Sequence, residues 1–125
     1  MWTEYVDNTY FIREMYNEAP KLNNVVIEKM DIINYGREVR LYLKIEDIID
    51  NIPAKWKKMG YDAVIIEIDF YDVCELDMRT DYARTSTISI DKLNNDSIRI
   101  AITGGINAMF NASAAYMQKA EGYKK

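Results

Sequence analysis

Four carboxylates pose the first chemical question in this chain. Glu67 and Asp69 stand two residues apart, and so do Glu75 and Asp77. In a β-strand that spacing puts each pair on one face. Paired carboxylates can hold a hard cation such as Ca²⁺ or Mg²⁺. They can be the acid and base of a glycosidase. They can also form a recognition face for a basic protein surface, where complementary charge raises association rate and selectivity. The plain alternative is a solvated outer face of a half-buried sheet, answered by Arg40, Lys44 and Arg99 on neighbouring strands. A cation site fits least well, because such sites recruit loop oxygens and Gly-bearing turns that this segment lacks. The charge around the four acids is concentrated. Between Asp62 and Asp81 seven acids (Asp62, Glu67, Asp69, Asp72, Glu75, Asp77, Asp81) face one base, Arg79, a local net charge of −6 in a chain of −4. A surface of that kind asks for a basic partner.

Aromatic residues supply the second signal. The chain has 10 tyrosines in 125 residues, and tyrosine suits binding surfaces because it buries a large rigid area while keeping a polar tip. Tyr42 and Tyr71 fall on outward faces of predicted strands, whereas Tyr35, Tyr61 and Tyr82 sit in turns. Packing at the edge of the core accounts for most of the others. Trp56 lies in Pro53-x-x-Trp56-x-x-x-Gly60, a basic turn before a central strand. It either stacks on a ligand or plugs one end of the sheet, and a loop indole needs somewhere to bury its ring. Gly104-Gly105 lacks the spacing and the following helix of a phosphate loop and reads as a hairpin turn.

Several chemistries are excluded by composition. The chain has no histidine, which removes Ser-His-Asp and Cys-His catalysis, His-liganded zinc and imidazole proton transfer. Cys74 is its one cysteine, and within an apolar stretch it reads as an inert core thiol in a reducing compartment. The acidic pI argues against nucleic acid, since phosphate contacts need clustered Lys and Arg. Lys55, Lys57 and Lys58 read as a solvated turn. No apolar run approaches the roughly 18 residues of a membrane span, and the acidic N-terminus is unlike a signal peptide. The expectation is a cytoplasmic protein that needs neither cofactor nor metal.

The elements that position these residues follow from periodicity. A chain of 125 residues, 49% of them hydrophobic, makes one domain, residues 1–125, with a core of its own. Thr9 to Glu18 reads as a helix with Tyr10, Phe11 and Met15 half-buried, capped by Asn8 or Thr9 and stopped by Pro20. From Asn24 the period becomes two. A strand through Ile33, a turn at Asn34-Tyr35-Gly36-Arg37 and a strand with Val39, Leu41, Leu43 and Ile45 inward make a hairpin. Ala63 to Tyr71 puts Val64, Ile66, Ile68 and Phe70 inward. A bulge or bend near Asp72 splits the long apolar run, after which Cys74, Leu76 and Met78 continue the inward series. Ile88 and Ile90, then Ile98, Ile100 and Ile102, line two further strands joined by a turn at Lys92–Asp96. A final strand starts near Asn107, and the segment 114–125 is read as strand rather than helix. The fold class is α+β: a mostly antiparallel sheet of six or seven strands, curled or two-layered, with one N-terminal helix.

The order of these pieces resembles the immunity protein 50 family of bacterial polymorphic toxin systems. The residues that carry the resemblance are Leu22-Asn23-Asn24-Val25-Val26-Ile27, Val39-x-Leu41-x-Leu43, Pro53-x-x-Trp56-x-x-x-Gly60-Tyr61, Val64-x-Ile66-x-Ile68-x-Phe70-x-x-Val73, and Phe110-x-Ala112 leading to Tyr123. The resemblance implies a cytoplasmic antidote, not an enzyme, that binds a cognate toxin and blocks its active site or substrate path. The residues expected to make that contact are Glu67, Asp69, Glu75 and Asp77, with Tyr42 and Tyr71. The expected partner is a toxin with a basic surface, not nucleic acid or membrane. The antidote itself would be a monomer, or a homodimer through an exposed sheet edge. The competing expectation is a small-ligand binding module, with an apolar pocket in a curled sheet near Trp56.

Overall fold

Strict alternation decides the centre of the molecule. In β2 (Glu38–Ile45), Val39, Leu41, Leu43 and Ile45 are wholly buried between partly exposed polar neighbours. In β3 (Ala63–Tyr71), Val64, Ile66, Ile68 and Phe70 are wholly buried too, and here the intervening Glu67 and Asp69 are buried as well on the opposite face. A computed structural model describes residues 1–125 and shows α+β architecture in two antiparallel sheets. The first has the order β1-β2-β3-β8, with β1 at Val26–Ile33 and β8 at Ala114–Tyr123. The second has the order β4-β7-β6-β5, with β4 at Cys74–Thr80, β5 at Ser86–Asn94, β6 at Ser97–Gly104 and β7 at Ile106–Ala112. The chain thus has eight strands rather than six or seven, because Ser113 divides the C-terminal segment into β7 and β8. Segment 114–125 is strand through Tyr123, as its hairpin context implies.

The long apolar run breaks where the sequence pattern stumbles. Asp72 takes a left-handed conformation, φ 51°, which Asp tolerates better than most residues. The chain there leaves the first sheet and enters the second. Ser113 does the same between β7 and β8, and its N–H donates to the Tyr71 carbonyl at 2.9 Å. β1 runs across the second sheet from edge to edge. Val25, just before it, bridges to Ser86 on β5, and Arg37, just after the hairpin turn, accepts from the Val73 N–H beside β4. The two layers therefore cross rather than align.

The core lies between the layers. Phe70 and Phe110 meet edge to face at 5.4 Å between centroids, joined by Ile88, Ile90, Ile98, Ile100 and Ile102. Each such side chain contributes about 1.5–3 kcal/mol when removed from water. Residues 1–25 wrap around this sandwich and add Trp2, Val6, Ile12, Met15 and Leu22 to the core.

Three expectations are corrected. The first helix, α1, is Tyr10–Met15, shorter than Thr9–Glu18, and ends because Tyr16 is already extended rather than because of Pro20. Its buried face is Ile12 and Met15, while Tyr10 and Phe11 are exposed, and Thr9 caps without a side-chain hydrogen bond. The Trp56 turn is a second helix, α2 (Ala54–Met59), ended by left-handed Gly60 at φ 75°. Trp56 plugs the sheet by lying on Gly122, where an added Cβ would sit 2.8 Å from its ring. Cys74 is an exposed thiol, and Leu76 and Met78 are only half-buried and exposed. The inward parity of β3 does not carry past Asp72, because β4 is the edge of a different sheet. No helix is long and apolar enough to cross a membrane.

Two outcomes follow from this packing. Phe110→Ala removes one half of the ring pair that joins the layers, and urea unfolding is expected to show a loss of about 3–5 kcal/mol. The Tyr16 hydroxyl donates to the Asp47 carbonyl at 3.1 Å, and burial, with Asp47 and Asp50 nearby, pushes its pKa up to about 12. A folded pKa above the unfolded one means stability is complete below about pH 10 and is lost as pH rises toward 12. Tyr16→Phe should flatten that alkaline slope in a pH series of unfolding curves.

Candidate functional site

The outer face of the first sheet is built by register. Asp69 of β3 lies opposite Arg40 of β2, and Glu67 lies opposite Tyr42. On the other side of β3, Asp69 faces Tyr116 and Glu67 faces Lys119 of β8. Alternation sends all of these side chains away from the core, and β3, paired on both sides, places its two acids in the middle of the face.

Asp69 is only 1% exposed despite pointing outward. A carboxylate that deep needs partners, and it has three bonds. Arg40 Nε donates to Oδ1 at 2.5 Å and Arg40 Nη2 donates to Oδ2 at 3.3 Å. The Tyr71 hydroxyl donates to Oδ2 at 3.3 Å. The two-pronged guanidinium geometry is the strong form of this contact, and it holds the Arg40 pKa above its ordinary value. Gln118 Nε2 donates to the Tyr71 hydroxyl at 2.9 Å. Burial and the Asp69 charge raise the Tyr71 pKa. A hydrogen bond to Glu67 raises that of Tyr42. The Lys29 ammonium lies 5.2 Å from the Tyr42 ring centroid, and Lys29 also pairs with Asp31 at 3.6 Å.

The face is therefore a hydrogen-bonded array with both signs of charge, in which Tyr71 is held by Asp69 and Gln118. It continues into a groove of about 310 Å³ lined by Asn8, Tyr10, Phe11, Met117, Gln118 and Lys119. Tyr10 and Tyr116 stand exposed beside it.

Of the six residues expected at a contact, Tyr42, Glu67, Asp69 and Tyr71 come together here. Glu75 and Asp77 do not join them, because they lie on β4 at the edge of the second sheet. Glu75 accepts from Asn111 Nδ2 at 3.0 Å, and Asn111 in turn accepts from Arg99 Nε at 3.2 Å. Arg40 thus answers Asp69 directly, whereas Arg99 reaches Glu75 only through the Asn111 amide. Arg40, Tyr116 and Gln118 belong to the array but were not singled out as contacts. The outward parity of β2 placed Arg40 on this face, but its pairing with Asp69 depends on register, which no local pattern reports.

A family model described as immunity protein 50 matches residues 8–123. No curated protein and no solved structure matches the chain significantly.

Removing either half of the buried pair has an asymmetric cost. Arg40→Ala leaves the Asp69 charge without its counter-charge, held only by the Tyr71 hydroxyl, and should destabilise by about 3 kcal/mol. Asp69→Asn leaves a guanidinium that is about one third exposed, with side-chain exposures of 31% for Arg40 and 2% for Asp69. Its loss should be smaller, about 1–2 kcal/mol. Paired urea titrations of the two variants check the order.

Proposed function

The chain belongs to the immunity protein 50 family, and from that premise we propose that it is an antidote that binds a cognate toxin domain and silences it by stoichiometric occlusion. The observation that carries this reading is the family match across residues 8–123. The outer face of the first sheet is its proposed contact surface. Tyr42 and Tyr71 are the anchors, with Glu67 beside them. Asp69 acts through its neighbours, holding Arg40 and Tyr71 in place rather than touching the partner.

Physical chemistry supports this choice of face. Rigid aromatics with a polar tip dominate binding energy when they are centred in a desolvated patch. The Tyr71 ring is already held by Asp69 and Gln118, so little rotamer freedom remains to be lost on binding. The net charge of −6 over residues 62–81 favours a toxin with a basic surface and speeds its capture. Glu75 and Asp77 add to that field from the second sheet without belonging to the same patch. The space between the sheets is filled by the core, so a ligand near Trp56 would have only the open groove beside Phe11 rather than an enclosed pocket in the sheet.

The test is a titration of the chain against the toxin domain that it retains in a pull-down from native lysate. Tyr42→Ala and Tyr71→Ala should each weaken binding by about tenfold or more, mainly through faster dissociation. Glu67→Gln should slow association and flatten its salt dependence. Unchanged affinity in both tyrosine variants would move the contact elsewhere.

A further inference from the structure

The two sheets have four edges, and the N-terminal segment covers two of them. On β8, Asp7 exchanges backbone hydrogen bonds with Ala115 and Met117, and Asn8 donates to the Met117 carbonyl. On β5, Val25 bonds Ser86 in both directions and Leu22 accepts from Ile88. β1 and β4 remain open. Open edges are templates for strand addition, and the two differ in how their charges are answered. On β1, Lys29 pairs with Asp31 and lies over Tyr42, which leaves only the acid Glu28 exposed and unpaired, with no free base to answer it in a second copy. On β4, Asp77 and Arg79 are exposed and form no ion pair within the chain. No backbone group of residues 76–80 bonds outside the ladder with β7.

We propose that β4 is a homodimer interface, formed by antiparallel pairing of β4 with β4 of a second copy about Met78. The charge order selects this occupant, and with the strand's end it selects this register: centring on Thr80 would need Asp81, which lies past β4 with its N–H on the Gly105 carbonyl. Centred on Met78, a two-fold pairing sets Asp77 of each copy opposite Arg79 of the other, and opposite charges directly across a sheet stabilise it. Centring on Asp77 would oppose Asp77 to itself. Centring on Arg79 would oppose two arginines. Residues 77–80 keep unbroken register with β7, from Asp77 opposite Met109 to Thr80 opposite Ile106, so their free edge is regular. Before them the register shifts between Cys74 and Asp77, Glu75 has φ 56°, and its carboxylate turns back to Asn111. That irregularity ends the pairing and keeps Glu75 from facing Asp81 of the other copy. Met78, exposed in one copy, would be covered by Met78 of the other. Residues on both sides of the pairing then form one continuous eight-stranded sheet, separate from the outer face of the first sheet.

The experiment is sedimentation equilibrium of the full chain at low salt, with the charge exchange as its internal control. The wild type should sediment at twice the 14.6 kDa of the chain. Asp77→Arg alone and Arg79→Asp alone should each sediment as monomers, because each opposes like charges across the two-fold axis. An equimolar mixture of those two variants should return to the dimer mass, since every cross-strand pair is again of opposite sign. Met78→Pro should give a monomer at any salt. A wild type that stays monomeric up to about 1 mM overturns the proposal. So does a dimer indifferent to both charge variants, and a mixture that stays monomeric overturns the register.

Discussion

The architecture depends on one corner. β3 ends at Tyr71, Asp72 turns through a left-handed conformation, and β4 begins two residues later in the other sheet. The returning chain turns at Ser113, whose N–H bonds the Tyr71 carbonyl and whose hydroxyl donates to Asp72 Oδ2 at 2.6 Å. Two strand pairs, β3 with β8 and β4 with β7, are thus a single ribbon folded over. The fold brings Phe70 against Phe110 and puts the remaining isoleucines of β5 and β6 over β2 and β3. Without that corner the inward faces of the two sheets have nothing to close on.

Much of this was legible in the residues. The runs Val39–Ile45 and Ala63–Tyr71 have one side chain in two apolar and inward, so their burial follows from alternation alone. The break at Asp72 was visible as a fault in that alternation. What it did was not visible, because a bulge within one sheet and a passage between two sheets look alike locally. Cys74, Leu76 and Met78 show the consequence: their parity continues the series, yet they lie on an edge strand with little above them. Helix ends were also obscure. Trp56 sits in a short helix steadied by Phe11, Tyr61 and Gly122 against its ring, and of these Phe11 and Gly122 are distant in sequence.

The acidic cluster illustrates the same limit for a functional surface. Seven acids in 20 residues of sequence suggested one face. The structure puts Glu67 and Asp69 on the first sheet, Glu75 and Asp77 on the second and the other three outside the strands; it buries Asp69 beside Arg40 and ties Glu75 to Asn111. What remains on the first sheet is an array in which carboxylates orient tyrosines more than they meet solvent. In the proposed complex charge would act as a long-range field, while the contact itself would be aromatic and hydrogen-bonded. The β4 edge is physically separate from this array, so a dimer built there leaves both copies of the tyrosine face open. In the proposed dimer each copy would keep that face free for its own partner.

The central claim is neutralisation, and growth measures it directly. The toxin domain retained by this chain is expressed in cells from an inducible promoter, alone and together with the chain. The account predicts arrest with toxin alone, growth with the wild-type chain, and arrest again when Tyr42 and Tyr71 are both changed to Ala in a variant that still folds. Growth protected equally well by that variant would contradict the proposed face, and arrest in the presence of the wild-type chain would contradict the antidote reading itself.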